Sequence, residues 1–374
     1  MAGIYIHIPF CKRACHYCNF HFSTSMKSKN DFLPALLKEM TLRQNYPGNA
    51  KINTIYFGGG TPSILPPEDI QAIFESLHKH FDIDSDAEIT FEANPDDVTP
   101  ENVKGWRNIG INRFSLGVQS FFEEDLQWMN RAHTSGQALN SIAMLQAAGF
   151  HNLTIDLIYG SPGLTDEKWK HNVDTALSLN IPHLSCYALT VEPRTALDKM
   201  IRVGQSKPVH SEDQARQFSL LMEWLANAGY EHYEISNFAI PGMHSRHNSA
   251  YWSGEPYLGL GPSAHSYDGF TRQWNVANNA RYIASINAGI VPGEIEHLDI
   301  KARHNEYVMI SLRKQTGLQR EQFKSMFGGE RLSLLDQQAL KYLSNKWLVL
   351  EEDYYRLTNE GKLFADGIAA DLFW

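Results

Sequence analysis

The stretch that decides how this chain is interpreted is His7-Ile-Pro-Phe-Cys-Lys-Arg-Ala-Cys-His-Tyr-Cys-Asn-Phe, residues 7–20. It carries three of the four cysteines, Cys11, Cys15 and Cys18, in the spacing C-x3-C-x2-C. In a reducing compartment, clustered cysteines bind metal or perform redox chemistry more often than they form disulfides. Three thiolates are one fewer than the four that close a structural zinc site or fully ligate an iron–sulfur cluster. The segment therefore predicts a metal site that takes a fourth ligand from elsewhere or leaves one metal position open.

Two metal centres fit this cysteine spacing. A structural zinc ion would use the three cysteines and a histidine such as His16 or His21. A [4Fe-4S] cluster would leave its fourth iron free to bind a small molecule. We favour the cluster, because an open coordination position is where metal chemistry takes place.

The sequence around the cysteines alternates strand and helix patterns. The predicted strands are Gly3 to Ile8, Asn53 to Gly58, Glu88 to Ala93, Arg113 to Gln119, Asn152 to Tyr159 and His183 to Leu189. The predicted helices are Lys29 to Asn45, Pro67 to Phe81, Pro100 to Ile109, Ser135 to Ala148 and Asp166 to Leu179. Evenly spaced strand and helix units indicate parallel strands joined by right-handed crossovers. The pattern predicts an α/β fold, a partial (β/α)6 barrel, with an open doubly wound sheet as the alternative.

The rest of the chain is expected to extend the barrel and then form a small domain. Residues 1–200 would form the barrel with its cysteine loop. Residues 201–300 would form a barrel extension, with a helix at 211–228 and a strand at 229–238. Residues 301–374 show two helices and a hairpin signal near Trp347 to Leu357, which indicates a winged-helix-like α+β module.

Composition and charge exclude several classes of protein. Apolar residues make up 43% of the 374 residues and charged residues 20%, which is typical of a folded globular protein. The net charge of −9 has the wrong sign for a protein that binds nucleic acid. The uncharged stretch Thr175 to Val191 contains Asn180 and Pro182 and makes a poor membrane span. The N-terminus has no signal-peptide pattern, so we expect a cytoplasmic protein.

Polar side chains recur on one face of three successive strands. Glu92, Gln119 and Asp156 each lie near the carboxyl end of a strand, opposite its apolar face. Barrel active sites lie at that end of the strands, so these side chains should meet. The second strand ends in Gly58-Gly59-Gly60-Thr61-Pro62, where glycine permits close approach of a ligand to the backbone. A tight turn is the simpler explanation of the glycines alone.

The cysteine spacing after the first strand, the glycine run and the six strand–helix units together resemble the radical SAM superfamily. That resemblance implies a [4Fe-4S] cluster on Cys11, Cys15 and Cys18. It also implies that the open iron chelates the amino and carboxylate groups of S-adenosylmethionine (SAM). The reduced cluster can then cleave SAM to a 5′-deoxyadenosyl radical.

Further strings are similar to the oxygen-independent coproporphyrinogen III oxidase family over essentially the whole chain. They are Tyr5-Ile-His-Ile-Pro-Phe-Cys, Glu92-Ala-Asn-Pro, Gly117-Val-Gln-Ser and Asp156-Leu-Ile-Tyr-Gly. By matching motif positions, the resemblance implies that SAM is bound by Tyr5, Gly59, Gly60, Thr61, Glu92, Gln119, Arg131 and Asp156. Ala188 is a looser match to the same set.

Within this family, the chain resembles the heme chaperone branch. The oxidase branch has a further cysteine where this chain has Phe20, and a longer segment before the cluster than the ten residues that precede Cys11. The chaperone branch carries an H-N-x-x-Y-W motif, matched here by His247-Asn248-Ser249-Ala250-Tyr251-Trp252. The resemblance implies heme as a ligand, with His247 as the expected heme contact, since imidazole is a common axial ligand. His247 would be a structural histidine on pattern alone, and neither His244 nor His265 can be assigned as a second ligand.

The expected function is to bind heme and pass it to an acceptor protein, with respiratory proteins among the candidate acceptors. In this hypothesis the chain is not a porphyrinogen-converting enzyme, although it can still cleave SAM. The competing hypothesis is SAM-dependent oxidative decarboxylation of coproporphyrinogen III. A third is a radical SAM enzyme that acts on an unrelated substrate.

Overall fold

The computed structural model of the protein describes residues 2–374. Its first part alternates strands and helices: β1 (Ala2–Ile8), α1 (Lys29–Arg43), β2 (Ile52–Gly59), α2 (Pro67–His80), β3 (Ile83–Ala93), α3 (Pro100–Ile109), β4 (Arg113–Gln119), α4 (Glu123–Trp128), α5 (Ser135–Ala147), β5 (Leu153–Tyr159), α6 (Asp166–Ser178), β6 (His183–Ala188) and α7 (Ala196–Arg202). Every strand and helix predicted for this part is present, although β3 begins earlier than predicted.

The second part contains shorter elements: α8 (Ser211–Asn227), β7 (Glu231–Glu234), β8 (Asn237–Ala239), α9 (Arg246–Trp252), β9 (Tyr257–Leu260), β10 (His265–Tyr267), β11 (Thr271–Asn275), α10 (Asn279–Asn287), β12 (Gly293–His297), α11 (Ile300–Arg313), β13 (Leu318–Gln319), α12 (Arg320–Phe327), α13 (Gly329–Ser344), β14 (Leu348–Glu351), β15 (Tyr354–Leu357), α14 (Asn359–Lys362) and α15 (Ala365–Asp371). The single strand predicted at 229–238 is wrong, because this segment holds the tight hairpin of β7 and β8. The Glu234 carboxylate accepts hydrogen bonds from the Ser236 backbone and the Asn237 amide, which turns the chain.

The chain forms two compact units, the first made of residues up to His210 together with Glu255–Glu296. In its sheet, β1 to β6 lie side by side in sequence order and pair in parallel. A doubly wound sheet would reverse its strand order at a switch point, so that alternative is wrong. Beyond β1 the sheet continues through β9, β10, β11 and β12 and does not close on itself. The predicted partial (β/α)6 barrel is confirmed.

Local signals in the sequence fix where the barrel helices begin and end. Thr99 caps α3 by accepting a hydrogen bond from the backbone of the third residue after it, and Gly110 ends the helix at φ 100°. The apolar faces of strands and helices meet in an aromatic core, where the rings of Phe91, Trp106 and Phe114 lie 5.3 to 6.1 Å apart. Burial of these rings stabilises the wall that holds the carboxyl ends of the strands in place.

The second unit consists of Ser211–Gly254 and His297–Trp374. Its C-terminal elements follow the order α11, β13, α12, α13, β14 and β15, with the strands in one small sheet ordered β13-β15-β14. This helix, strand, helix, helix, hairpin order is the predicted winged-helix-like arrangement. The predicted hairpin turn is made by Glu352 and Asp353, both with positive φ. Phe323, Leu335 and Tyr355 belong to the buried core of this module.

The predicted barrel extension at 201–300 is divided between the two units, because β9, β10 and β11 join the sheet beside β1 while residues 211–254 belong to the second unit. The three predicted domain ranges therefore remain a prediction. Among residues 2–374, none of the helices has the length and apolar character needed to cross a membrane.

Candidate functional site

A cavity of about 450 Å³ lies at the carboxyl ends of the barrel strands. Cys11, Cys15 and Cys18 all line it. So do most of the residues that the sequence implicates in SAM binding, namely Gly59, Gly60, Thr61, Glu92, Gln119, Arg131, Asp156 and Ala188. The fold thus brings these residues together at the end of the barrel where such sites are found.

The two ends of the cysteine loop are joined to each other just after the first strand. The Cys11 amide donates to the Ser23 carbonyl at 3.1 Å, and the Ser23 amide donates to the Pro9 carbonyl at 2.9 Å. Lys12 forms ion pairs with Asp96 and Asp97, which follow β3. Because the base of the loop is closed and Lys12 is held by two carboxylates, the three thiols face the cavity in a defined arrangement.

Two thiols accept hydrogen bonds from residues of the barrel. The Thr61 hydroxyl donates to Cys11 Sγ at 3.3 Å, and Arg131 Nη1 donates to Cys15 Sγ at 3.2 Å. Burial raises the pKa of Cys11 to about 11, and the Thr61 hydrogen bond offsets part of this effect. Hydrogen bonds of this kind stabilise the thiolate form that metal ligation requires.

The two metal centres considered from the sequence differ in how close together their protein ligands must lie. Among residues 2–374, no three His, Cys, Asp or Glu side chains converge closely enough to hold one metal ion. A [4Fe-4S] cluster places each cysteine on a different iron, so its ligands are spread further apart. Both histidines considered for zinc use a ring nitrogen elsewhere: His16 Nδ1 contacts the Trp128 carbonyl and His21 Nε2 contacts Asn279, each at 2.7 Å.

Glu92 and Asp156 form an acidic pair on the cavity wall. Tyr56 donates a hydrogen bond of 2.7 Å to Glu92, and Ser115 donates one of 3.3 Å to Asp156. Burial, together with repulsion from Asp156, raises the pKa of Glu92 to about 8. Burial also raises the pKa of Asp156 to about 6. These carboxylates can accept hydrogen bonds from hydroxyl groups and attract a cation.

Arg131 is the cationic centre of the same cavity. Its Nη2 donates to Asn94 Oδ1 at 2.6 Å and to the Gly117 carbonyl at 2.8 Å. Its Nε is buried without a hydrogen-bond partner among the described residues. A buried donor without a partner is costly and is expected to be satisfied by a bound group. Residue patterns alone did not identify Arg131, because it follows a short helix instead of ending a strand; family resemblance did.

The backbone is unusual where it enters the cavity. Gln119, the last residue of β4, has φ 68°, in the left-handed region that non-glycine residues seldom occupy. The register of β4 against β5 also shifts between Leu116 and Gln119. Such conformations cluster at functional sites because they redirect a side chain.

Tyr5 is not among the residues that line the cavity, although it pairs with Tyr56, the residue that donates to Glu92. The Tyr5 hydroxyl donates to His7 Nδ1 at 3.2 Å, and His7 Nε2 donates to the His21 carbonyl at 2.8 Å. Burial lowers the pKa of His7 to about 4, which keeps the ring neutral. His7 therefore links β1 to the end of the cysteine loop. Residue patterns alone did not indicate a role for His7, although it lies within the Tyr5-Ile-His string.

His247 belongs to the second unit, where it is 2% exposed. It lies in the first turn of α9, which Ser245 caps. Its Nε2 lies 2.9 Å from the Tyr251 hydroxyl, and the two rings pack edge to face. In this conformation His247, the expected heme contact, is buried against Tyr251 of the same motif.

Comparisons with known proteins agree with the resemblance. Residues 5–176 match the Radical SAM superfamily model. The chain is 35% identical to the heme chaperone HemW of Bacillus subtilis (strain 168), over 98% of each chain. It is also 35% identical to the heme chaperone HemW of Mycobacterium tuberculosis (strain H37Rv), over 99% of this chain and 94% of that relative.

The solved structure of coproporphyrinogen III oxidase (HemN) from Escherichia coli, a radical SAM enzyme, superposes with a TM-score of 0.87. It covers 100% of this chain and 90% of that one at 22% identity, which shows a shared fold. Three observations support the same family assignment. They are the near-complete coverage at 35% identity, the matching radical SAM domain and the cavity lined by the three cysteines. The chain belongs to the HemW family of radical SAM proteins.

Proposed function

We propose that the chain is a cytoplasmic heme chaperone that carries a [4Fe-4S] cluster and an exchangeable SAM, binds heme and transfers it to an acceptor protein. The observation that carries this proposal is the 35% identity to proteins named heme chaperone over nearly their full length. Phe20 supports it. This side chain lines the cavity and is 68% exposed at the position where the oxidase branch is expected to have a further cysteine.

Cys11, Cys15 and Cys18 would hold the cluster and leave one iron for SAM. When bound, the cluster and SAM supply one-electron chemistry. The chain's own residues bind and orient the cofactor: the Arg131 guanidinium pairs with a carboxylate, while Glu92 and Asp156 accept hydrogen bonds from hydroxyls and attract the sulfonium charge. In this proposal His247 serves as a heme contact once it leaves the Tyr251 hydroxyl.

The test compares heme binding with porphyrinogen turnover. Protein purified anaerobically, with a reconstituted cluster, is titrated with hemin and is separately incubated with coproporphyrinogen III, SAM and a reductant. We expect saturable hemin binding, seen as a Soret band, and no protoporphyrinogen. Formation of protoporphyrinogen would identify the oxidase activity instead. SAM cleavage that depends on another substrate, without hemin binding, would support an unrelated radical SAM enzyme.

SAM affinity is expected to rise with pH up to about 8. The Glu92 carboxyl faces Tyr5, Tyr56 and Asp156, and burial holds its pKa near 8 in the SAM-free protein. Cationic SAM favours the ionised carboxylate of Glu92. At pH values below the pKa of Glu92, SAM binding is therefore coupled to the release of a proton from this carboxyl group. A single coupled proton changes affinity by up to about tenfold per pH unit. Isothermal titration at pH 6.5, 7.5 and 8.5 measures the slope.

The matched control for this slope is Glu92→Gln, which cannot ionise. The amino group of SAM itself titrates near pH 8, so part of the slope will remain in the variant. The difference between the two slopes is the contribution of Glu92. Identical slopes in the two proteins would contradict the assignment of Glu92 as a SAM contact that changes its protonation on binding.

A further inference from the structure

A group of aromatic side chains lies on one face of the antiparallel strands next to β1, and we call it the meander strip. It consists of Tyr257, His265, Tyr267, Arg272 and Trp274. Cross-strand pairing puts His265 opposite Trp274, and Tyr267 opposite both Arg272 and Tyr257. Directly paired residues project from the same face of a sheet, so these side chains are neighbours.

The meander strip continues the cofactor-binding face of the barrel. Strand β9 pairs in parallel with β1, with Gly3 beside Tyr257 and Tyr5 beside Gly259. Tyr257 therefore projects on the same side as Tyr5. The opposite face of the strands is covered by α1, from which Arg43 donates to Gln273 Oε1 at 3.1 Å.

His265 is an accessible imidazole within this strip. It is exposed, and among the described residues neither ring nitrogen forms a hydrogen bond. Its ring stacks beside that of Trp274, with 6.0 Å between centroids. Partial burial of the ring and the nearby Arg272 lower the pKa of His265, so one ring nitrogen is unprotonated at neutral pH. His247 differs on both counts, being buried with its Nε2 beside a tyrosine hydroxyl.

We propose that the meander strip is a heme-binding surface on which His265 ligates the iron, the rings of Tyr257, Tyr267 and Trp274 contact the macrocycle, and Arg272 pairs with a propionate. This inference rests on the proposed heme-chaperone function and deepens it. Heme is flat, aromatic and dianionic at its edge, which matches three rings, one imidazole and one guanidinium. Arg272 now lies 3.7 Å from Glu296, a half-exposed ion pair that a propionate can replace at little cost.

The experiment is an anaerobic hemin titration of the full chain, followed by Soret absorbance and by electron paramagnetic resonance of the ferric iron. The variants are His265→Ala, Arg272→Gln and His247→Ala. The matched control is His151→Ala, which removes an exposed histidine of the same unit outside the strip. We expect His265→Ala to weaken hemin binding about tenfold or more, the size of an energetically dominant contact. We expect Arg272→Gln to weaken it about threefold to fivefold.

Two signatures separate ligation from a general loss of structure. Added imidazole should restore the wild-type resonance spectrum to the His265→Ala protein, and cluster absorbance should be unchanged in it. If His265→Ala binds hemin as tightly as the unaltered protein and binding is lost only in His247→Ala, the proposed site is wrong while the proposed function stands. Displacement of hemin by ATP, which combines a flat adenine ring with anionic phosphates, would overturn the commitment to heme. Absence of hemin binding by the unaltered protein would overturn the site and the proposed function together.

Discussion

Replacing Cys11, Cys15 or Cys18 by alanine is expected to abolish the visible absorbance of the iron–sulfur cluster. In the proposed cluster each of the three thiolates would bind a different iron, so the loss of one would leave two irons without a protein ligand. Absorbance near 400 nm and bound iron, measured after anaerobic reconstitution, check the result.

The fourth cysteine provides the control. Cys186 is 1% exposed in β6, and burial raises the pKa of its thiol. Cys186→Ala removes one buried sulfur at a cost of about 1 kcal/mol and should leave the cluster intact. Retention of the cluster in all three loop variants would contradict the ligand assignment, and its loss in Cys186→Ala would indicate that the fold is too sensitive for the comparison.

The barrel could be predicted because its signals are local. Apolar alternation, helix caps such as Thr99 and terminal glycines such as Gly110 act within a few residues, and they placed all the strands and helices up to residue 188 except the short helix α4. Carboxyl ends of parallel strands meet at one edge, so strand periodicity alone brought Glu92, Gln119 and Asp156 together.

The strands between residues 230 and 297 were harder to predict from the sequence, because they are short and pair with strands that are distant along the chain. Strand β9 is stabilised by parallel pairing with β1, more than 250 residues away along the chain. The buried Glu39 carboxylate of α1 holds the following turn by accepting hydrogen bonds from the Gly261 amide and the Asn275 side chain. The apolar periodicity within this region carries no information about such long-range contacts. For this reason neither the hairpin of β10 and β11 nor the meander strip was predicted.

Gly59 lies at the cavity as predicted, but the structure gives a different physical reason for a glycine at this position. We expected Gly59 to permit close approach of a ligand. The structure shows that it first permits close approach of the protein itself, because a Cβ at Gly59 would lie 2.5 Å from the His7 ring. The same position thus serves the packing behind the cavity wall and also lines the cavity.

Gly59→Ala is accordingly expected to abolish SAM binding and to lower the free energy of unfolding by about 2–5 kcal/mol. Gly59 has φ 103°, a conformation that costs an alanine about 1–2 kcal/mol. Crowding against a packed ring adds about 1–3 kcal/mol. His7 cannot yield cheaply, because hydrogen bonds to Tyr5 and to the His21 carbonyl fix its ring. Displacing it would release the end of the cysteine loop from β1.

Gly110→Ala separates the two contributions. Gly110 has nearly the same φ, 100°, but a Cβ there would meet nothing within 4 Å. This control should lose only about 1–2 kcal/mol and should bind SAM as the unaltered protein does. Urea unfolding gives the stabilities, and equilibrium dialysis with labelled SAM gives the affinities. If the two variants lose equal stability and both keep SAM, the contact between Gly59 and His7 does not hold the cofactor site together, and the loop must be positioned by its ion pairs from Lys12 to Asp96 and Asp97 instead.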